Sequence, residues 1–236
     1  MNKQNKMNKQ NKQSIWIFGD SYSESLNGRQ PQKILKEFPE KNNSLFTWPN
    51  ELEKKYYVKN FSKGGSGPQQ ALRDFFNEYN LHRERRKDVI VLFFLSDAIA
   101  RPEFHFLKRP GHASLLTKPD DMEINRYDPT HINFAKSYFK YAKNDDFYVD
   151  KFAGALLTVA DEFKKVLCWP CFSTGVGKFI TKTSKINNLY FVAEPLWNIE
   201  NFKEDTQFNH ISQQLHVKMF NAISDWIEND TPISVL

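Results

Sequence analysis

The sequence predicts an α/β fold: one doubly wound, mostly parallel sheet of about five strands flanked by helices. Three observations predict it. Short continuous apolar runs, "SIWIF" at 14 to 18 and "DVIVLFFL" at 88 to 95, read as central strands covered on both faces. Stretches with apolar residues at helical spacing alternate with these runs. A length of 236 residues suits one sizeable core and is short for two.

Residues 1 to 13, "MNKQNKMNKQNKQ", repeat a polar hexamer and hold four lysines and no acid, so they read as a disordered basic tail and as neither a secretory signal nor an anchor. A single domain is expected over 14 to 236. The formal charge of +5 belongs mostly to the tail, because the remainder carries 29 basic against 28 acidic residues. A nucleic-acid surface needs a basic stripe; "HRERRK" at 82 to 87 is the only cluster, it reads as the solvated end of a helix, and nucleic acid is not an expected partner. Hydrophobic content of 40% and aromatic content of 15% argue a globular chain.

After the first strand, "TWPNELEKKYY" at 47 to 57 carries a helix start near Pro49, an acid early and lysines late, and leads to a second strand at Tyr56 to Asn60. The glycines of "FSKGGSGPQQ" make a strand-to-helix turn, and Ala71, Leu72, Phe75, Phe76 and Tyr79 then recur at helical spacing. The third strand is the 88 to 95 run. Residues 101 to about 150 mix Pro, Gly and Asp with aromatics, are too long for a simple connection, and read as an inserted lid or cap with a helix over 131 to 142. The alternation resumes with a helix around 149 to 164, strands at 165 to 169 and 188 to 194, and a terminal helix over about 211 to 228 with Ile211, Leu215, Met219, Ile223 and Trp226 on one face.

No run approaches the roughly 18 to 20 apolar residues of a membrane span. A soluble protein is expected, either cytoplasmic or associated with a virion or phage. The two cysteines, Cys168 and Cys171, are too few for a disulfide scaffold or a four-ligand zinc site and read as small buried residues at a strand end. "STGVGK" at 173 to 178 lacks the full phosphate-loop pattern.

Sheets of this kind hold their sites at the carboxyl ends of the strands, which singles out Ser21, Ser66, Ser96 and Asp97. A serine hydroxyl needs a base before it attacks, and histidine is the usual one at neutral pH. Of six histidines, His210 stands before the terminal helix, on the sheet face of Ser21, with Asp205 nearby to orient its ring.

On these residues the chain resembles the SGNH or GDSL family of serine hydrolases. Gly19, Asp20 and Ser21 in "IFGDSYS" match the family's nucleophile block; "NFSKGGSGPQQ" matches the block whose glycine donates to the oxyanion, with Gly65 preferred over Gly64 or Gly67. Asp205 and His210 match the last block, although four residues separate them where the family has two, and the alternatives are Glu204 or no acid partner at all. In "FFLSDA", Ser96 stands where the family carries an asparagine, with Asp97 following.

The resemblance implies a three-layer, flavodoxin-like sheet and a serine esterase working through an acyl-enzyme. Its nucleophile is Ser21, its base and acid are His210 and Asp205, and Ser21, Gly65 and Ser96 form the oxyanion hole, while Asp20 and Asp97 are structural. No metal or organic cofactor is required. A carbohydrate or other small-molecule ester is the expected ligand, with Phe104, Phe106, Phe134 and Tyr138 of the insertion as a wall for it. The alternative is a binding or structural module that keeps the fold while Ser96 weakens oxyanion stabilisation.

Overall fold

The apolar runs form one parallel sheet of β1 (Ser14–Gly19), β2 (Tyr57–Asn60), β3 (Val89–Leu95), β4 (Lys165–Pro170) and β5 (Leu189–Phe191). The computed structural model describes residues 12–26, 36, 46–64, 66–95, 133, 137, 141, 145–171, 188–199 and 211–233. The strand order is β2-β1-β3-β4-β5, with every neighbouring pair parallel. This is the flavodoxin-like order, whose direction of winding reverses between β1 and β3 and opens a crevice at their carboxyl ends. The register sets Gly19 of β1 opposite Phe94 of β3, and Phe94 opposite Trp169 of β4.

Alternate residues of each strand enter opposite cores. Ile15, Ile17, Leu92, Phe94, Leu167 and Trp169 pack with α1 (Trp48–Lys55), α4 (Leu196–Ile199) and α5 (Gln213–Asn229). Trp16, Phe18, Val91, Phe93, Val166 and Cys168 pack with α2 (Pro68–Leu81) and α3 (Asp145–Ala160). The result is three layers with the sheet in the middle. Every residue of β3 is buried, which is why its sequence is a continuous apolar run with no alternation.

The helix ends follow local chemistry. Gly67 occupies the N-cap of α2 with Pro68 at the first helical position, where its missing N–H costs nothing. Ser212 caps α5, its hydroxyl accepting from the Leu215 N–H at 3.1 Å. The anticipated apolar face of α5 is buried, from Leu215 through Met219 and Ile223 to Trp226.

Some details differ from expectation. The helix expected over 149 to 164 lies at Asp145–Ala160. The last strand is shorter than expected, three residues at the sheet edge beside β4. Phe76 is partly exposed, off the apolar stripe that Phe75 anchors.

The "HRERRK" cluster is not wholly a solvated helix end. Residues Arg83–Asp88 form a 3-10 turn and Arg86 is buried, its guanidinium 3.2 Å from the centroid of the Tyr79 ring, bonded to the Tyr79 carbonyl at 2.7 Å and paired with Glu162. Planar Arg suits this stacked, forked geometry.

The expected helix over 131 to 142 lies, apart from residues 133, 137 and 141, outside the described residues. So do the aromatic wall and "STGVGK". Among the described residues no helix is long and apolar enough to cross a membrane.

Candidate functional site

β1 ends at the crevice between β1 and β3, and the chain turns there through Gly19, Asp20 and Ser21. Gly19 is demanded by space: a Cβ on it would lie 2.6 Å from the Phe94 carbonyl oxygen and 2.8 Å from the Phe94 Cβ, and would also collide with the Ser23 Oγ. Close approach of β1 to β3 at its last residue therefore selects glycine.

The turn after Gly19 is held from several directions. The Tyr22 N–H donates to Asp20 Oδ1 at 3.0 Å, and the Ser23 N–H donates to the Asp20 carbonyl at 3.2 Å. This is the self-bonding turn that aspartate favours. The Cys171 thiol, at the carboxyl end of β4, reaches the same Asp20 oxygen at 3.7 Å. From the segment after β2, the Ser66 hydroxyl donates to the Gly19 carbonyl at 3.0 Å, and the Lys63 N–H joins it at 3.2 Å. The Ser23 hydroxyl bonds Ser62 at 2.8 Å, and the Asn60 amide donates to the Ser23 carbonyl at 2.8 Å. Each buried bond of this kind stabilises by about 1 kcal/mol, and orphaning one partner costs about 1 to 3 kcal/mol.

A further hold comes from the helix layer. The Trp48 indole N–H donates to the Tyr22 carbonyl at 3.1 Å, and the Trp48 backbone N–H donates to His216 Nδ1 at 3.4 Å. The Trp48 ring stands 4.6 Å from that of Phe94, so the turn, α1 and β3 share one packed wall.

Ser21 is 4% exposed, and among the described residues its hydroxyl has no hydrogen-bond partner. The neighbouring hydroxyls of Ser23, Ser62 and Ser66 are all engaged in holding the turn. Of the sequence-expected site residues, Ser21 and Asp20 are thus brought together at the strand end. Gly65, Ser96, Asp97, Asp205 and His210 lie outside the described residues, as does Glu204. Gly64 and Gly67, the alternatives to Gly65, flank Ser66 beside the Gly19 carbonyl.

The two cysteines are buried, Cys168 with Trp16 in one core and Cys171 with Trp48 in the other. They stand on opposite faces of the sheet and cannot pair. Burial pushes the Cys168 thiol far above its ordinary pKa, so it stays protonated and unreactive. Among the described residues no group of three or more His, Cys, Asp or Glu side chains is arranged to hold a metal ion.

Sequence reasoning passed over Trp48, Ser62 and His216 as supports of this turn. His216 lies in the first turn of α5 and is 0% exposed. Its spacing to Met219, Phe220 and Ile223 was the available signal: a histidine at three, four and seven residues from apolar side chains belongs to a buried face.

No family model matches the chain, and no curated protein matches it. The three-layer fold with its five-stranded parallel sheet is compatible with the SGNH hydrolases and is shared with many unrelated functions.

Proposed function

We propose that the chain is an SGNH-like module whose Ser21 turn forms the floor of a site for a small carbohydrate or short-acyl ester, and that it turns such esters over slowly or not at all. One observation carries the site: Ser21 follows the end of β1 at the reversal of winding, on a turn that neighbouring side chains hold in shape, and its own hydroxyl takes no part in that holding. Open α/β sheets bind their ligands in this crevice.

One feature of the sequence favours slow turnover. Ser96 replaces the asparagine that would donate to the oxyanion, and loss of one such donor lowers turnover by on the order of 10² to 10³.

A second reading is the full esterase. The uncommitted hydroxyl of Ser21 favours it: His210, oriented by Asp205 or Glu204, would take the Ser21 proton as oxygen attacks the ester carbonyl. Backbone N–H groups of Ser21 and Gly65 would receive the oxyanion, the alcohol would leave with the proton, and water would release the acid.

A fluorophosphonate probe separates the readings. The binding module predicts Ser21 labelling slower than that of a reference serine hydrolase by about 10² or more, and hydrolysis of an ester panel no faster than by Ser21→Ala. Rapid labelling at Ser21, with turnover abolished in both Ser21→Ala and His210→Ala, would replace the first reading with the second.

A further inference from the structure

We infer that His216 is a positioning residue for Ser21, acting through Trp48: the terminal helix caps α1 from outside, and α1 in turn fixes the carbonyl next to the serine. The inference rests on the reading of the Ser21 turn as the functional centre.

The first N–H groups of a helix have no partner inside it. In α1 that problem falls on Trp48. Thr47 occupies the N-cap position, but its side chain makes no capping bond; its hydroxyl donates to Asn50 Oδ1 at 2.7 Å. Pro49, next in line, has no N–H to satisfy. The Trp48 N–H is buried and must find an acceptor elsewhere, and His216 Nδ1, 168 residues away in sequence, supplies it. A ring nitrogen that accepts carries no proton, so this contact calls for a bare Nδ1.

Trp48 is also fixed through its side chain. Its indole donates to the Tyr22 carbonyl, one residue beyond Ser21, and is wholly buried against Phe94. The connection therefore runs from the α5 ring to the α1 backbone, through the Trp48 side chain to the Tyr22 carbonyl. The carbonyl it holds belongs to the residue whose N–H closes the Asp20 turn. Gln213, three residues before His216, accepts from the Phe46 N–H at 2.9 Å, so the same turn of α5 grips both sides of the Thr47 cap. A shift of α5 thus moves Trp48 and, with it, the main chain at Ser21.

The experiment compares the full chain with His216→Leu, His216→Asn and Trp48→Phe. Asparagine can place an amide oxygen near the position of Nδ1; leucine cannot accept. Hydrogen exchange of the Tyr22 and Ser23 amides reads the turn, and the imidazole ¹⁵N shifts read the acceptor state of Nδ1. His216→Leu is expected to speed exchange at Tyr22, Ser23 and Trp48 by about tenfold, the effect of one lost buried hydrogen bond. Exchange in the middle of β3 should be unchanged, His216→Asn should restore protection, and Trp48→Phe should speed Tyr22 and Ser23 while sparing the Trp48 amide. Fluorophosphonate labelling of Ser21, or the chemical-shift response of Tyr22 to an O-acetylated monosaccharide, should fall with the loosened turn and recover in His216→Asn. Unchanged local exchange in His216→Leu, or a loosened turn with undiminished labelling and ligand response, would overturn the positioning role. Absence of both labelling and ligand response in the unaltered chain would instead refute the site reading, while the exchange comparison still decides whether His216 holds the turn.

Discussion

Gly19→Ala tests the close approach that builds the site. The added methyl would lie 2.6 Å from the Phe94 carbonyl oxygen and 2.8 Å from its Cβ, besides striking the Ser23 hydroxyl. Contact distances between carbon atoms are about 3.5 to 4.0 Å, so β1 and β3 would have to part by close to an ångström at their ends. Ser23 can rotate away, but doing so breaks its 2.8 Å bond with Ser62; the Phe94 main chain cannot rotate. Overpacking costs about 1 to 3 kcal/mol, and a broken buried hydroxyl bond adds about 1 kcal/mol. The expected loss is about 3 kcal/mol, a fall in melting temperature of roughly 6 to 12 °C for a chain of this size. Urea denaturation followed by tryptophan fluorescence measures it, with an unchanged slope as the sign of intact two-state behaviour. A variant within about 0.5 kcal/mol of the parent would refute the steric reasoning, because that is the scatter of neutral substitutions.

Other outcomes follow from the same interactions. Arg86→Ala should destabilise by about 2 to 4 kcal/mol in urea denaturation, since it strands the Tyr79 carbonyl and removes a stacked guanidinium, while Glu162→Gln, on the more exposed side of the pair, should cost less. Glu53 and Glu228 should give opposite pH signatures. Burial raises the Glu53 pKa above its ordinary 4.5, so its stabilising contribution is complete below 4.5 and lost as pH rises through the raised value; Glu53→Gln should raise the denaturation midpoint at pH 7 and leave it unchanged at pH 3. Hydrogen bonds from Lys55 and Tyr56 lower the Glu228 pKa, so its contribution is present above 4.5 and lost as pH falls through the lowered value; Glu228→Gln should lower the midpoint at pH 7, and by less as the pH falls.

The fold was legible because its central strands, β1, β3 and β4, are buried on both faces and its helices are not. "VIVLFFL" has one reading for a chain of this size, and the periodic faces of α2 and α5 announce which side meets the sheet. Edges were less legible: nothing in "NLYFVAE" says that pairing stops at Phe191, since that depends on a neighbour far away in sequence. The turn "GDS" was legible as a motif, yet its supports were not. Ser62 looks like an ordinary loop serine, and Ser66, singled out at a strand end, shows in the sequence no sign of its bond to Gly19; only the pairing of β2 beside β1 brings the two to Ser23 and Gly19. Trp48 and His216 are 168 residues apart, and their bond exists because α1 and α5 lie side by side on one face of the sheet. Arg86 misled for the opposite reason: a charge run suggests solvent, whereas a guanidinium can be buried once a ring, a carbonyl and a carboxylate meet it.

One NMR titration with an O-acetylated monosaccharide reads both binding and turnover of a small ester at the Ser21 turn. A saturable response centred on the Tyr22 and Ser23 amides and the Trp48 indole, with the free-acetate signal growing no faster than with Ser21→Ala, is the predicted result. Responses confined to other parts of the chain, or rapid release of acetate that disappears in Ser21→Ala, would contradict it.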